Sequence, residues 1–207
     1  MFSKETYIQR REALMREVNN GVIVLFGNAE VPYNYPDNTY HFRQDSTFRY
    51  YFGLDVPMMV GLMDTYTHET FLFADDVDID DIIWTGPMPS VKDMAAEVGV
   101  TSTAPYAEAA KWLQKAMQHN RQIHFLKPYR PFTTLQIHDM MGLPTAEISK
   151  LSSQKLVMAV IKQRNKKEPQ EIAELDKAFE IGYAMHTAAL RMCRPGEKEQ
   201  HIAGTME

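Results

Sequence analysis

The sequence predicts an α/β protein: a mixed β-sheet flanked by helices, followed by a helical annex. Three observations carry that expectation. Short apolar runs of strand length alternate with segments of helical period over roughly the first 150 residues. One run, Val22-Ile23-Val24-Leu25-Phe26, is apolar at every position and rich in β-branched residues, as a strand covered on both faces must be. After about residue 150 the composition shifts to one long amphipathic stripe with no strand signal.

In order along the chain, Tyr7, Ile8, Leu14, Met15 and Val18 recur near helical spacing, and Asn19-Asn20-Gly21 stops the helix. Val22 to Phe26 is the first strand. Gly27 to Asn38 holds two prolines and three asparagines and reads as a loop. Three more strands are expected at Arg49 to Gly53, Met58 to Met63 and Glu69 to Phe73, the last two joined by a turn over Asp64 to His68. The acidic run Asp75 to Asp81 reads as a solvated strand-to-helix turn. Residues 105–118 return to helix, with Ala107, Ala110, Leu113 and Met117 on one stripe. Gln122 to Leu126 is a short strand, and a helix runs over Thr134 to Met141 until Gly142 and Pro144 end it.

The annex begins after Lys162 to Lys167, a basic cluster closed by Glu168 and Glu171 that reads as a solvated helix boundary. Pro169 suits the first position of a helix, where its missing N–H costs nothing. Ile172, Leu175, Phe179, Gly182, Met185, Ala189 and Met192 form a single apolar stripe that Pro195-Gly196 ends, and Glu197 starts another helix. So long a stripe needs a partner surface. Its absence predicts an incomplete second domain over 164–207, after a first domain over 1–163.

A formal net charge of −5 gives no electrostatic footprint for nucleic acid. No apolar stretch approaches the roughly 18 residues needed to span a bilayer, and the first residues lack the apolar core of a secretory signal. The one cysteine, Cys193, excludes an intramolecular disulfide, is expected to be a buried structural thiol and fits a cytoplasmic setting. Met58-Met59 and Met140-Met141 read as core filler. None of the seven histidines pairs at zinc-site spacing. A calcium loop started at Asp76 would place Asp81 where glycine is required and Pro87 where glutamate is required, so that reading fails. Nucleophile elbows and glycine-rich phosphate loops are absent. From residue chemistry alone no catalytic constellation emerges.

The segment Tyr40-His41-Phe42-Arg43-Gln44-Asp45-Ser46-Thr47-Phe48-Arg49-Tyr50-Tyr51-Phe52-Gly53 resembles the signature of aminopeptidase P N-terminal domains. The Arg10 to Leu14 element (RRxAL) lies at the matching distance upstream. Lys167 to Ile172, Met185-His186-Thr187 and Cys193-Arg194-Pro195-Gly196 resemble the opening of that family's pita-bread catalytic domain. The resemblance implies a creatinase/aminopeptidase P type N-terminal domain, followed by the truncated helical start of a pita-bread domain. It implies a metal-dependent Xaa-Pro aminopeptidase as the full-length parent. The N-terminal domain would serve oligomerisation and shape the neighbouring active site.

In the family the catalytic domain holds two divalent ions, usually manganese, through two aspartates, a histidine and two glutamates. A metal-bridging hydroxide attacks the carbonyl preceding proline. Those ligands match positions beyond Glu207, so this chain is expected to contain no catalytic residue, no metal ligand and no cofactor, and to be inactive alone. Two positions are candidates for substrate contact. Asp37 matches an aspartate directed towards the substrate amine; the alternative is a turn-forming Asx residue in Pro36-Asp37-Asn38. Trp84 matches a tryptophan presented to a partner protomer's pocket, where it would pack on a proline ring; the alternative is core burial. Arg43 and Gln44 read as structural, holding the loop after Tyr40. Expected partners are the protein's own catalytic domain, neighbouring protomers in a homo-oligomer, and peptides with proline at the second position, with no nucleic acid and no membrane. The pattern departs at Arg49, where the family is often aromatic, and at Met88, where it is often basic. The same architecture also serves peptide-binding pseudoenzymes, including a histone-chaperone subunit, and relatives such as prolidase and creatinase.

Overall fold

The computed structural model describes residues 1–206. They form two compact units, one ending at Gln163 and the other beginning at Arg164.

The first unit is built on a five-stranded sheet in the order β4-β3-β2-β1-β5, with β1 at Val22–Phe26, β2 at Val60–Asp64, β3 at Thr70–Phe73, β4 at Ser102–Ala104 and β5 at Ile123–His124. It is mixed: β1/β2 and β2/β3 are antiparallel, whereas β1/β5 and β3/β4 are parallel. Every residue of β1 is buried, because helices cover both faces. Alternate side chains separate cleanly. Ile23 and Leu25 join Leu14, Val18, Phe48, Phe52 and Leu156 on one face. Val22, Val24 and Phe26 join Leu113, Ile137, Met140 and Ile148 on the other.

The first face is covered by α1 (Lys4–Val18), α2 (Ser46–Phe52), α4 (Val91–Glu97) and α8 (Gln154–Asn165), and the second by α5 (Glu108–Gln118), α6 (Pro131–Met141) and α7 (Thr145–Leu151). Ser3 caps α1 by accepting from the Thr6 N–H, and Asn19 ends it in the left-handed region at φ 50°. Gly61, paired with Leu25, admits the Phe52 ring: a Cβ there would lie 2.2 Å from its carbons.

Several expectations are corrected. Arg49 to Gly53 is not a strand but the end of α2. The Asp45 carboxylate accepts from the Thr47 and Phe48 N–H groups, which starts a helix, and Gly53 closes it at φ 67°. The buried positions Thr47, Phe48, Tyr51 and Phe52 have helical rather than alternate spacing. The face of α5 that packs inward is Ala109, Leu113 and Ala116, with Ala110 and Met117 half-buried beside it and Ala107 at the cap. Pro131 starts α6 three residues earlier than expected, since proline suits the first turn. The second strand begins at Val60, because Met58 has φ 57° and stands partly exposed.

The second unit pairs α9 (Pro169–Met192), begun by Pro169 as expected, with α10 (Glu199–Met206). The Glu171 carboxylate accepts from the Glu168 N–H at the start of α9. None of the residues of α9 is buried, and Phe179 is 69% exposed. Cys193, expected to be buried, is exposed, because this helix end has no layer above it.

Candidate functional site

The sequence signature first explains the fold. Arg11 is 2% exposed and its guanidinium donates to the carbonyls of Tyr51, Val98 and Gly99 at 2.8, 2.7 and 3.0 Å. Burial lowers its pKa to about 10, an effect partly offset by Glu12. Arg10 donates to the Tyr50 carbonyl and lies 3.9 Å over the Tyr50 ring. The paired arginines therefore clamp the end of α2, where free carbonyls attract cations. Arg49, the departure from the family pattern, makes an exposed ion pair with Asp55 at 3.4 Å.

The same signature positions a hairpin. Gln44 is buried; its Oε1 accepts from the N–H groups of Asn28 and Asp45, and its Nε2 donates to the Val56 carbonyl. Asn28 in turn donates to the Arg43 carbonyl. From this base the chain runs out through a bridge between Pro32 and Thr39, with Tyr33 donating to the Asn38 carbonyl and Tyr40 to the Val31 carbonyl. Gln44 thus holds the loop as expected. Arg43 contributes its backbone, while its side chain is exposed.

Asp37 occupies the tip of this hairpin and is exposed. The turn is closed by the Asn38 N–H on the Tyr35 carbonyl and by Asn38 Nδ2 on Asn34 Oδ1. The Asp37 carboxylate takes no hydrogen bond among the described residues. Around it stand three exposed tyrosines, with Tyr33 and Tyr40 rings 4.7 Å apart and Tyr35 at the tip. Their signal was available in the sequence as three aromatic residues within a polar loop.

Trp84 lies on α3 (Ile79–Thr85) and is 88% exposed, which overturns core burial. Ile79 and Ile83 are also exposed, at 78% and 73%. The excursion that carries α3 is pinned at its root: Asp75 accepts from the Tyr106 N–H and Asp76 from the Val91 N–H. Met88 is exposed beside it. Nothing in the described geometry brings Asp37 and Trp84 together.

Among the described residues no three His, Cys, Asp or Glu side chains gather closely enough to hold a metal ion. No described helix is long and apolar enough to cross a membrane. Buried titratable groups serve packing. His124 is fully buried with Nδ1 2.6 Å from Ser153 Oγ, and burial lowers its pKa. Asp64 receives two bonds from Arg121, at 2.6 and 2.5 Å. Burial alone would raise its carboxyl, but Arg121 and the N–H groups of Tyr66 and Thr67 outweigh it and hold the group below the ordinary value.

The Xaa-Pro aminopeptidase of Escherichia coli is 26% identical over 98% of this chain and 48% of its own length. A probable Xaa-Pro aminopeptidase of Botryotinia fuckeliana is 28% identical over 88% of this chain and 37% of its own. The chain thus spans about half the length, or less, of these relatives. The fold is that of a zinc-substituted E. coli aminopeptidase P in complex with product, with a TM-score of 0.81, 24% identity and coverage of 100% of this chain and 49% of that one. The low-pH form of the E. coli protein gives a TM-score of 0.80 at 24% identity, with the same coverage. The profile described as "Aminopeptidase P, N-terminal domain" matches residues 7–124, more than half of the sequence, and the chain belongs to that family.

Proposed function

We propose that this chain is the N-terminal scaffold of a metal-dependent Xaa-Pro aminopeptidase, with residues 1–163 as the family's N-terminal domain and residues 164–207 opening the pita-bread catalytic domain. The observation that carries the reading is alignment along 98% of this chain with an Xaa-Pro aminopeptidase. In this reading the parent hydrolyses the bond between an N-terminal residue and a following proline. Two divalent ions, of which manganese is the expected kind, would there supply Lewis-acid activation of water and charge stabilisation. Among the described residues no three His, Cys, Asp or Glu side chains gather closely enough to hold such an ion; in this reading the ligands come from positions beyond Glu207, and the chain alone is inactive.

The chain's own contribution is to hold substrate. The exposed, unpartnered Asp37 carboxylate pairs with the free α-ammonium of a peptide and so enforces removal of the first residue. The exposed Trp84 indole packs on the proline ring of a peptide held by a neighbouring protomer, which makes the active assembly a homo-oligomer. A cytoplasmic setting suits a chain with one cysteine.

The test is turnover of a Xaa-Pro peptide with manganese. The 207-residue chain is expected to show none, and the protein extended by its downstream coding sequence to show metal-dependent release of the first residue. In the extended protein Asp37→Asn raises KM by about tenfold or more, through loss of the charged pair. Turnover by the chain alone overturns the reading. An extended protein that binds such peptides and never cleaves them is a peptide-binding pseudoenzyme, and one confined to dipeptides is a prolidase relative.

A further inference from the structure

At the base of the Asp37 hairpin lies a cleft of about 230 Å³, lined by Glu30, Tyr40, His41, Arg43 and Arg130 among others. Arg43 reaches it from the segment that leaves the hairpin, and Arg130 from the cap position of α6. Among the described residues neither guanidinium has an ion-pair or hydrogen-bond partner. The Arg130 guanidinium stands over the ring of Tyr129, at 5.9 Å. Against one carboxylate, Glu30, the rim sets two permanent cations, a local excess of positive charge in a chain whose net charge is −5.

Guanidinium forks match carboxylates in a planar, two-bonded geometry, which distinguishes them from lysine point charges. We propose that this cleft binds a carboxylate of a short peptide whose ammonium end sits at Asp37. The proposal rests on the reading of Asp37 given above. Tyr40 lines the cleft and follows Asp37 by three residues, so at most about 10 Å of backbone separates them. A ligand reaching from the hairpin tip into the cleft is an extended peptide of about three to five residues. The hairpin would then measure peptide length, with a carboxylate hold at one end and an anion at the other.

The experiment is calorimetric binding to the full chain, which needs no catalysis. Ala-Pro-Gly-Gly is compared as free acid and as C-terminal amide. The free acid is expected to bind about fivefold or more tightly than the amide, and the double variant Arg43→Ala, Arg130→Ala to erase that difference while its urea midpoint stays unchanged. Equal affinity of the two forms, persistence of the preference in the double variant, or no binding of either at millimolar concentration overturns the proposal. Asp37→Asn separates the two ideas. If it weakens both forms and leaves the acid preference, both readings stand. If it changes nothing while the arginines still govern the preference, the carboxylate cleft stands and the Asp37 reading falls. An amide-capped Ala-Pro-Gly-Glu that matches the free acid assigns the cleft to any carboxylate at that reach, and one that matches the amide assigns it to the chain terminus.

Discussion

Two helices of seven residues, α2 (Ser46–Phe52) and α3 (Ile79–Thr85), have similar shares of large apolar side chains and opposite fates. In α2, Phe48, Tyr51 and Phe52 are wholly buried, and Arg11 and Arg10 hold its last carbonyls. In α3, Ile79, Ile83 and Trp84 face solvent, although Asp75 and Asp76 fix the root of the excursion to Tyr106 and Val91. Short helices have little stability of their own, so packing decides where they sit. An apolar helix that the fold fixes at its base and leaves uncovered presents a surface with a use beyond folding. The contrast ties α2 to stability and leaves α3 free to carry the contact proposed for Trp84, and it can be tested from both sides.

The largest effect is expected at Arg11. Arg11→Ala removes three charge-assisted bonds and leaves the carbonyls of Tyr51, Val98 and Gly99 without their donor in a dry interior. The expected loss is about 3–4 kcal/mol, read as a fall in the urea midpoint. A loss under about 1 kcal/mol would show that α2 is not anchored through this side chain.

A cut at the end of β2 should cost less and answer to pH. Arg121 is bonded to the buried Asp64 carboxylate, and Arg121→Ala is expected to cost about 2–3 kcal/mol at neutral pH by leaving that charge unpaired. The folded Asp64 carboxyl is held below its ordinary value, so its contribution is fully present above about pH 4 and is lost as pH falls through the folded value. The deficit of the variant should therefore shrink between pH 7 and pH 3, whereas that of Arg11→Ala should not follow this window. A pH-independent Arg121 deficit would mean that Asp64 is not what Arg121 stabilises.

The two helices also mark what the sequence made legible. Val22 to Phe26 announced a central strand because both faces are covered, and burial on both faces leaves no polar positions. The α2 segment reads as a strand on residue preference, since aromatic residues favour strands on average, but the Asp45 cap and the spacing of Phe48, Tyr51 and Phe52 decide for a helix. β4, Ser102–Ala104, carries three half-buried small residues and no apolar pattern, and α4 escaped notice although Ser90 and Asp93 form its cap. Neither candidate residue came from residue chemistry. Asp37 and Trp84 entered through resemblance, because a lone carboxylate and a lone indole have no local pattern that separates ligand contact from turn or core. In the structure the Asp37 carboxylate takes no hydrogen bond among the described residues and Trp84 is uncovered.

The smallest stability effect, and the sharpest check on the contrast, belongs to Trp84→Ala. An indole already 88% exposed gives up almost no buried surface, so the expected change is within about 0.5 kcal/mol. A buried aromatic residue of α2 would lose about 3–5 kcal/mol on the same truncation. If Trp84 serves a neighbouring protomer, its removal should leave the urea midpoint of the chain unchanged and lower kcat/KM for Xaa-Pro peptides in the extended, assembled protein. Retained activity with unchanged stability would leave α3 without the contact proposed for Trp84. A stability loss comparable to that of Arg11→Ala would place Trp84 in a packed environment and dissolve the distinction between the two helices.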